Sequence, residues 1–253
     1  LKMRTALVLE LYDRRQEAKK RQQKLEELVE RKTEALQKAL DEMVKAKRVT
    51  EAAHLETVRC LALAAEFKDS NTAHHIERIS LFSSIIGRAL ELSGQELDKL
   101  RIAATLHDVG KLMISDSLLR KEGELTEGEW QKLCSHTDKG AEILADSKSP
   151  YLEAAASIAR SHHEKWDGSG YPKGLHGEEI PLFGRIVAIV DVFDVLTSSN
   201  DGEELTNEEA FAYLRKESGK AFDPKLVELF CAEADKVEQY QANWPSSPKT
   251  QEL

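Results

Sequence analysis

Cysteine is scarce in this chain. Three in 253 residues, Cys60, Cys134 and Cys231, lie far apart and form no Cys-x-x-Cys pair. That excludes a disulfide framework and a zinc ribbon, and it suits a reducing cytoplasm, where the chain is expected to reside. No apolar run approaches the roughly 18 residues a membrane span needs, and the first residues lack the apolar core of a signal peptide. Basic charge is also short: 36 Lys and Arg stand against 45 Asp and Glu, a net of −9. Such a balance argues against holding polymeric nucleic acid by neutralising its phosphates. What is present, 41% hydrophobic and 32% charged residues, suffices for one good-sized core plus an appendage. Because the sequence opens on Leu1 and not Met, a fragment or processed chain is expected, with anything upstream outside it.

Charge divides the chain. Residues 1–50 carry 14 Lys and Arg and 9 Asp and Glu, a net of +5, which leaves −14 for the rest. Gly and Pro are absent through residue 50 and beyond, and Leu, Glu, Lys, Gln, Arg and Ala dominate, so the pattern predicts one long helix. Val29, Leu36 and Met43 at heptad position a, with Leu25, Ala39 and Ala46 at d, make a coiled-coil-like seam that Arg15, Gln22 and Lys32 interrupt. Two readings stand: a parallel dimer stalk, or a solvated helix folded against its own domain.

From about Thr50 the apolar spacing stays helical. Val58, Leu61, Leu63 and Ala64 precede a polar break at Lys68–Thr72, and Ile76, Ile79, Leu81, Phe82, Ile85 and Ile86 follow it. Further helices are expected over Gln95–Leu106, Thr126–Cys134, Gly140–Ala145, Tyr151–His163, Leu182–Leu196, Asn207–Glu217 and Pro224–Tyr240, between turns bearing Gly, Pro, Ser or Asp. Thr126 and Thr206 each stand three residues ahead of a Glu, the capping-box spacing. No hairpin signal surrounds the short β-rich runs, so the fold class is all-α. The predicted division is a helical stalk over 1–50, a globular domain over 51–242 and a disordered tail over 243–253.

Eight histidines occur, and their surroundings are more telling than their number. His107-Asp108-Val-Gly110-Lys111 follows an apolar helical run. It delivers an imidazole and a carboxylate together where a helix is about to stop, a natural beginning for a dinuclear metal site. The same pair could equally be a helix cap or a satisfied polar pair. His162 and His163 are adjacent, so on a regular helix they would point about 100° apart. They share one pocket only if the helix end turns or if they bind different ions; a surface pair before a Gly/Pro turn is the plainer alternative. His136 sits in Cys134-Ser-His-Thr-Asp-Lys-Gly140. Asp191 has five apolar residues before it and two after it, and a buried carboxylate needs a cation or a full set of donors.

Taken together these segments resemble the HD-GYP family, bacterial metal-dependent phosphodiesterases within the wider HD phosphohydrolase superfamily. The likeness runs from about Glu56 to Phe230. It includes His75-Ile-Glu-Arg78, His107-Asp108-Val-Gly-Lys111, Leu118-Leu-Arg-Lys-Glu-Gly-Glu-Leu-Thr126, His136 with Gly140, His162-His163-Glu-Lys-Trp-Asp-Gly-Ser-Gly-Tyr-Pro172 and Asp191-Val-Phe-Asp194. The resemblance implies an HD-type helical bundle in which His75, His107, Asp108, His136, His162, His163 and Asp191 ligate two divalent metals, iron or manganese, with Asp108 between them. His75 is assigned over its neighbour His74 because Ile76-Glu-Arg78 then keeps the family spacing. It further implies that a hydroxide held between the metals attacks phosphorus in line while Lys111 stabilises the developing charge. Gly170, Tyr171 and Pro172 would form the loop beside the guanine-nucleotide pocket. The implied substrate is cyclic di-GMP, opened to linear pGpG with onward cleavage to GMP left open. The implied partners are a second copy through the amino-terminal helix and an upstream sensor or receiver domain, in a signalling hydrolase.

Two departures modify that expectation. Many family members carry a glutamate four residues before the first histidine; Asn71 stands there, so two metals are expected and not three. After Asp194-Val-Leu-Thr-Ser198 the family continues with an Arg-Pro-Tyr-Arg-type segment that grips substrate phosphate, whereas here Ser199-Asn200-Asp201-Gly202-Glu203-Glu204 is acidic. An arginine clamp of that kind contributes roughly 2–5 kcal/mol. Lys173, Arg185 or a partner chain would have to substitute. The alternatives to a cyclic di-GMP phosphodiesterase are therefore a receptor or adaptor that binds the nucleotide without useful hydrolysis, and a metallo-phosphohydrolase for another cyclic dinucleotide or phosphoester.

Overall fold

The computed structural model describes residues 2–68, 73–198 and 204–242. Asn71, Ser199 to Glu203 and the predicted tail from Asn243 lie outside them. The described chain is helical: α1 (Lys2–Lys68), α2 (Ala73–Ala89), α3 (Gly94–Ala104), α4 (Asp116–Leu119), α5 (Glu127–Cys134), α6 (His136–Ile143), α7 (Pro150–Ser161), α8 (Leu182–Thr197), α9 (Asn207–Lys216), α10 (Pro224–Ala232) and α11 (Ala234–Ala242), with short 3-10 turns at Val109–Met113 and Gly177–Glu179. Among the described residues no strand forms, and the expectation of an all-α fold holds. None of the described helices is long and apolar enough to cross a membrane.

The chain separates into two compact units between Leu55 and Glu56. In the first, α1 runs without a break, as the absence of Gly and Pro requires. Every described side chain from Leu9 to Leu55 is exposed, including Leu25, Val29, Leu36 and Met43 of the seam. Pairs four residues apart, Glu10 with Arg14 at 2.7 Å and Lys47 with Glu51 at 3.5 Å, support the helix locally.

In the second unit α2 packs on α3, α8 and α10, while α7 packs on α3, α6 and α8. Phe82, Phe193 and Phe230 are fully buried where α2, α8 and α10 meet. The Phe193 ring lies edge-on to Phe82 at 5.9 Å and to Phe230 at 5.2 Å. Burying such side chains contributes about 1.5–3 kcal/mol each. Both predicted capping boxes are formed: Glu129 Oε2 accepts the Thr126 N–H at 2.8 Å, and Glu209 Oε2 accepts that of Thr206 at 2.9 Å.

Of the boundaries that differ from expectation, three have a local cause. α6 begins at His136 and not Gly140, because Ser135 already has helical dihedrals and continues the turn from α5. α7 begins on Pro150, which suits the first turn of a helix because its missing N–H has no partner there anyway. The single helix expected over 224–240 is broken at Glu233, whose N–H turns back to Phe230 O at 3.1 Å.

Candidate metal centre

Helix ends and one buried helix face place the site. α3 stops at Ala104, and the chain turns through His107 and Asp108 into the 3-10 turn. Asp108 makes no capping hydrogen bond with its side chain, so the cap reading fails. α7 stops at Ser161, and His162 closes it. The turn there solves the orientation of the adjacent pair: both rings face inward, with centroids 4.0 Å apart, and one ligand atom each from Asp108, His136, His162 and His163 lie within 4.8 Å of one another. α2 supplies His75, and α8 supplies Asp191 from beside the buried Val190.

Asp108 stands in the middle. Its Oδ1 is 3.3 Å from His136 Nε2 and 3.5 Å from His162 Nε2, while its Oδ2 is 3.4 Å from His107 Nε2 and 2.7 Å from Lys111 Nζ. Oδ1 of Asp191 lies 3.7 Å from Nε2 of both His75 and His107. All seven residues expected as ligands thus converge, and Lys111 stands beside them.

The histidine tautomers are set by outer contacts. Nδ1 of His107 faces Ala104 O at 3.0 Å, that of His136 faces Leu133 O at 2.7 Å, and that of His162 faces Ile158 O and Ala159 O, both at 3.1 Å. His75 Nδ1 faces the Asp194 carboxylate at 2.7 Å. With Nδ1 turned outward, each ring presents Nε2 to the interior, where a cation would take its lone pair. Those four Nε2 atoms, Asp108 Oδ1 and Glu66 Oε2 are buried without a hydrogen-bond partner. Six such atoms at one place is far outside the norm for a folded protein.

A cation answers that deficit. Two ligand atoms each about 2.1 Å from one ion sit roughly 3.0–3.5 Å apart, close to the separations found around Asp108. The mixture of imidazole and carboxylate suits iron, manganese or zinc. Burial pushes His107 down, yet Asp108, Asp191 and Glu66 hold its proton and raise it to about 10. Burial, helped by His162, takes His136 down to about 4. Burial and His162 likewise hold His163 well below the ordinary imidazole range. These two rings are neutral and ready to donate lone pairs.

The loop expected beside the substrate is built on Glu164, whose carboxylate accepts the N–H groups of Lys173 at 2.8 Å and Leu175 at 3.0 Å. Gly170 lies so close to that stem that a Cβ there would come within 2.3 Å of Lys165 N. Tyr171 stacks on His163 at 4.8 Å, with Trp130 edge-on at 5.9 Å. One face of Tyr171 is therefore occupied already. Pro172 follows Tyr171 through a cis peptide bond. Arg185 is committed elsewhere, 2.6 Å from Asp223 and over the Trp166 ring.

Sequence reasoning gave no role to Asp194, Arg78, Glu164, Trp130 or Glu66. Asp194 could have been found from its spacing, since three residues after Asp191 it shares the same face of α8. Glu66 shares a buried face with Ala62 and Ala65, the same signal that singled out Asp191.

Residues 59–226 match the HD domain family. The cyclic di-GMP phosphodiesterase response regulator RpfG of Xanthomonas campestris is 43% identical over 185 residues, 73% of this chain and 49% of that protein. The 3'3'-cGAMP-specific phosphodiesterase 2 of Vibrio cholerae is 41% identical over 191 residues, 75% of this chain and 37% of that protein. Among solved structures, the cyclic GMP-AMP-specific phosphodiesterase V-cGAP3 of V. cholerae superposes with a TM-score of 0.54 at 27% identity, covering 76% of this chain and 54% of that one. The chain thus spans about half the length, or less, of these curated relatives.

Proposed function

The chain belongs to the HD domain family, and from that premise we propose that it is a metal-dependent phosphodiesterase that opens cyclic di-GMP to pGpG. The observation that carries this reading is the set of buried, unpartnered ligand atoms converging on Asp108. His75, His107 and Asp191 would hold one ion and His136, His162 and His163 a second, with Asp108 shared between them. Bound there, two divalent ions, iron or manganese, would supply Lewis acidity and an activated water. The protein's own residues do the rest. Lys111, held at Asp108, brings positive charge to where phosphoryl oxygens gain negative charge. The Gly170-Tyr171-Pro172 loop, pinned by Glu164, offers its backbone and the Trp130 and Tyr171 rings to a nucleobase. Lys173 follows on that loop as a phosphate contact, and Arg185 would serve as one only by leaving Asp223.

Support for a cyclic dinucleotide comes from the names of the relatives, which divide between cyclic di-GMP and 3'3'-cGAMP. Their division favours 3'3'-cGAMP as the second reading. The test is to incubate the manganese- or iron-loaded chain with each dinucleotide and separate the products by chromatography. Linear pGpG from cyclic di-GMP supports the first reading, and turnover of 3'3'-cGAMP alone supports the second. Bound metal and nucleotide without product from either would identify a receptor, the outcome the acidic segment at 199–204 would then explain.

The exposed seam on the first unit supports a parallel homodimer through that helix, because apolar side chains at a and d positions are buried when a second helix packs along them. An upstream sensor or receiver domain would pass its signal along such a stalk. Three free cysteines suit a reducing cytoplasm for the whole.

A further inference from the structure

Glu66 belongs to none of the seven expected ligands, and it lies near the end of α1 within the second unit. Its side chain faces inward with Ala62 and Ala65, and only 3% of the residue is exposed. Two neighbouring contacts fix the helix end that presents it. Lys68 Nζ donates to Leu112 O at 2.9 Å and to Ile114 O, and Arg59 pairs with Glu77 of α2.

A carboxylate in that position requires a partner, and Glu66 Oε2 has no hydrogen bond. One oxygen of Glu66 and one nitrogen each of His75 and His107 lie within 4.8 Å of one another. Because Asp194 and Ala104 O occupy the two Nδ1 atoms, the nitrogens left are Nε2, and both are buried and unpartnered as well. Three unsatisfied atoms of ligand type, one carboxylate oxygen and two imidazole nitrogens, are thus gathered at one place. A hydrogen-bonding role would have left at least one of them satisfied.

We propose that Glu66 is a carboxylate ligand of the metal ion held by His75 and His107. The ion at His75 and His107 would then be bound by oxygen from two helices, Glu66 of α1 and Asp191 of α8, while the ion at His136, His162 and His163 would lack this contribution. The proposal rests on the metal-centre reading above and predicts that the two ions respond unequally to a change at residue 66.

The experiment titrates the metal-free full chain and its Glu66→Gln variant with Mn²⁺, following free Mn²⁺ by electron paramagnetic resonance, and melts both proteins with and without the metal. Glutamine keeps the shape of the side chain and removes its charge. The expected result is two sites in the wild type, with one of them unchanged and the other weakened at least about tenfold in the variant. The metal-free variant should melt close to the metal-free wild type, while its metal-induced rise in Tm should be smaller. Wild-type affinity at both sites of the variant would overturn the Glu66 assignment and leave the metal centre standing. A metal-free variant that fails to fold, or melts below the wild type by as much as the loaded pair differ, would show a structural carboxylate and also overturn it. A wild type that takes up no Mn²⁺ would remove both readings together.

Discussion

Oδ2 of Asp194 lies 2.7 Å from Nδ1 of His75, across 119 residues of sequence, and the same carboxylate takes the Arg78 guanidinium. Burial alone would raise this acid, but hydrogen bonds from His75 and Arg78 outweigh it and hold the group below the usual carboxylate range. Asp194 touches no reacting atom. It positions His75 by fixing which ring nitrogen turns inward.

Replacing Asp194 by Ala should therefore cost stability and metal together. The change leaves a buried guanidinium unpaired, which costs about 3–5 kcal/mol, and frees the His75 ring, which weakens metal binding about 10–100-fold. Urea unfolding and a metal titration of the same variant measure the two losses. Full stability with wild-type affinity would remove Asp194 from its positioning role.

Gly110 allows the 3-10 turn after Asp108 to pass against α6. A Cβ there would stand 1.8 Å from His136 O and 2.5 Å from Gly140 N, both backbone atoms. Gly110→Ala should destabilise by the upper end of roughly 1–3 kcal/mol or more, and it should disturb His136 at the same time. Gly94→Ala is the control, since a Cβ there meets nothing within 4 Å, and its unfolding midpoint should match the wild type or exceed it slightly.

Much of the site was reachable from the sequence through the combination of motifs that carries the family resemblance. His107 and Asp108, like His162 and His163, sit where helices end, and taken singly each pair also fitted a cap or a surface turn. Asp194 and Glu66 were not assigned because their roles depend on packing between distant segments: α8 against α2 for one, the end of α1 against His75 and His107 for the other. The broken helix at Glu233 escaped because neither Gly nor Pro marks it. The 3-10 turn at Val109–Met113 is too short to show a period.

Glu129 offers a pH test away from the metal centre. Lys121 at 2.7 Å, then the Thr126 N–H and hydroxyl, draw its pKa from 4.5 down to about 2. A depressed acid stabilises the fold above its unfolded value, and that contribution is lost as pH falls from about 4.5 through about 2. A carboxyl ¹³C titration of Glu129 should show a midpoint near 2. A midpoint near 4.5 would mean that the cap and the Lys121 pair do not form.

The seam on α1 makes its own prediction. Lysine at both Leu36 and Met43 places charge at two a positions and should convert a dimer to monomer in sedimentation at micromolar concentration. Wild-type protein that is already monomeric would contradict the stalk reading.

The central claim is that a buried cluster organised by Asp108 binds two metals and hydrolyses a cyclic dinucleotide with them. Metal analysis of anaerobically purified wild type and Asp108→Ala, with cyclic di-GMP turnover followed on the same samples, tests it most directly. The account predicts two ions per wild-type chain with pGpG formed, and loss of both metal and turnover in the variant. An Asp108→Ala protein that kept its metal and its activity would contradict it.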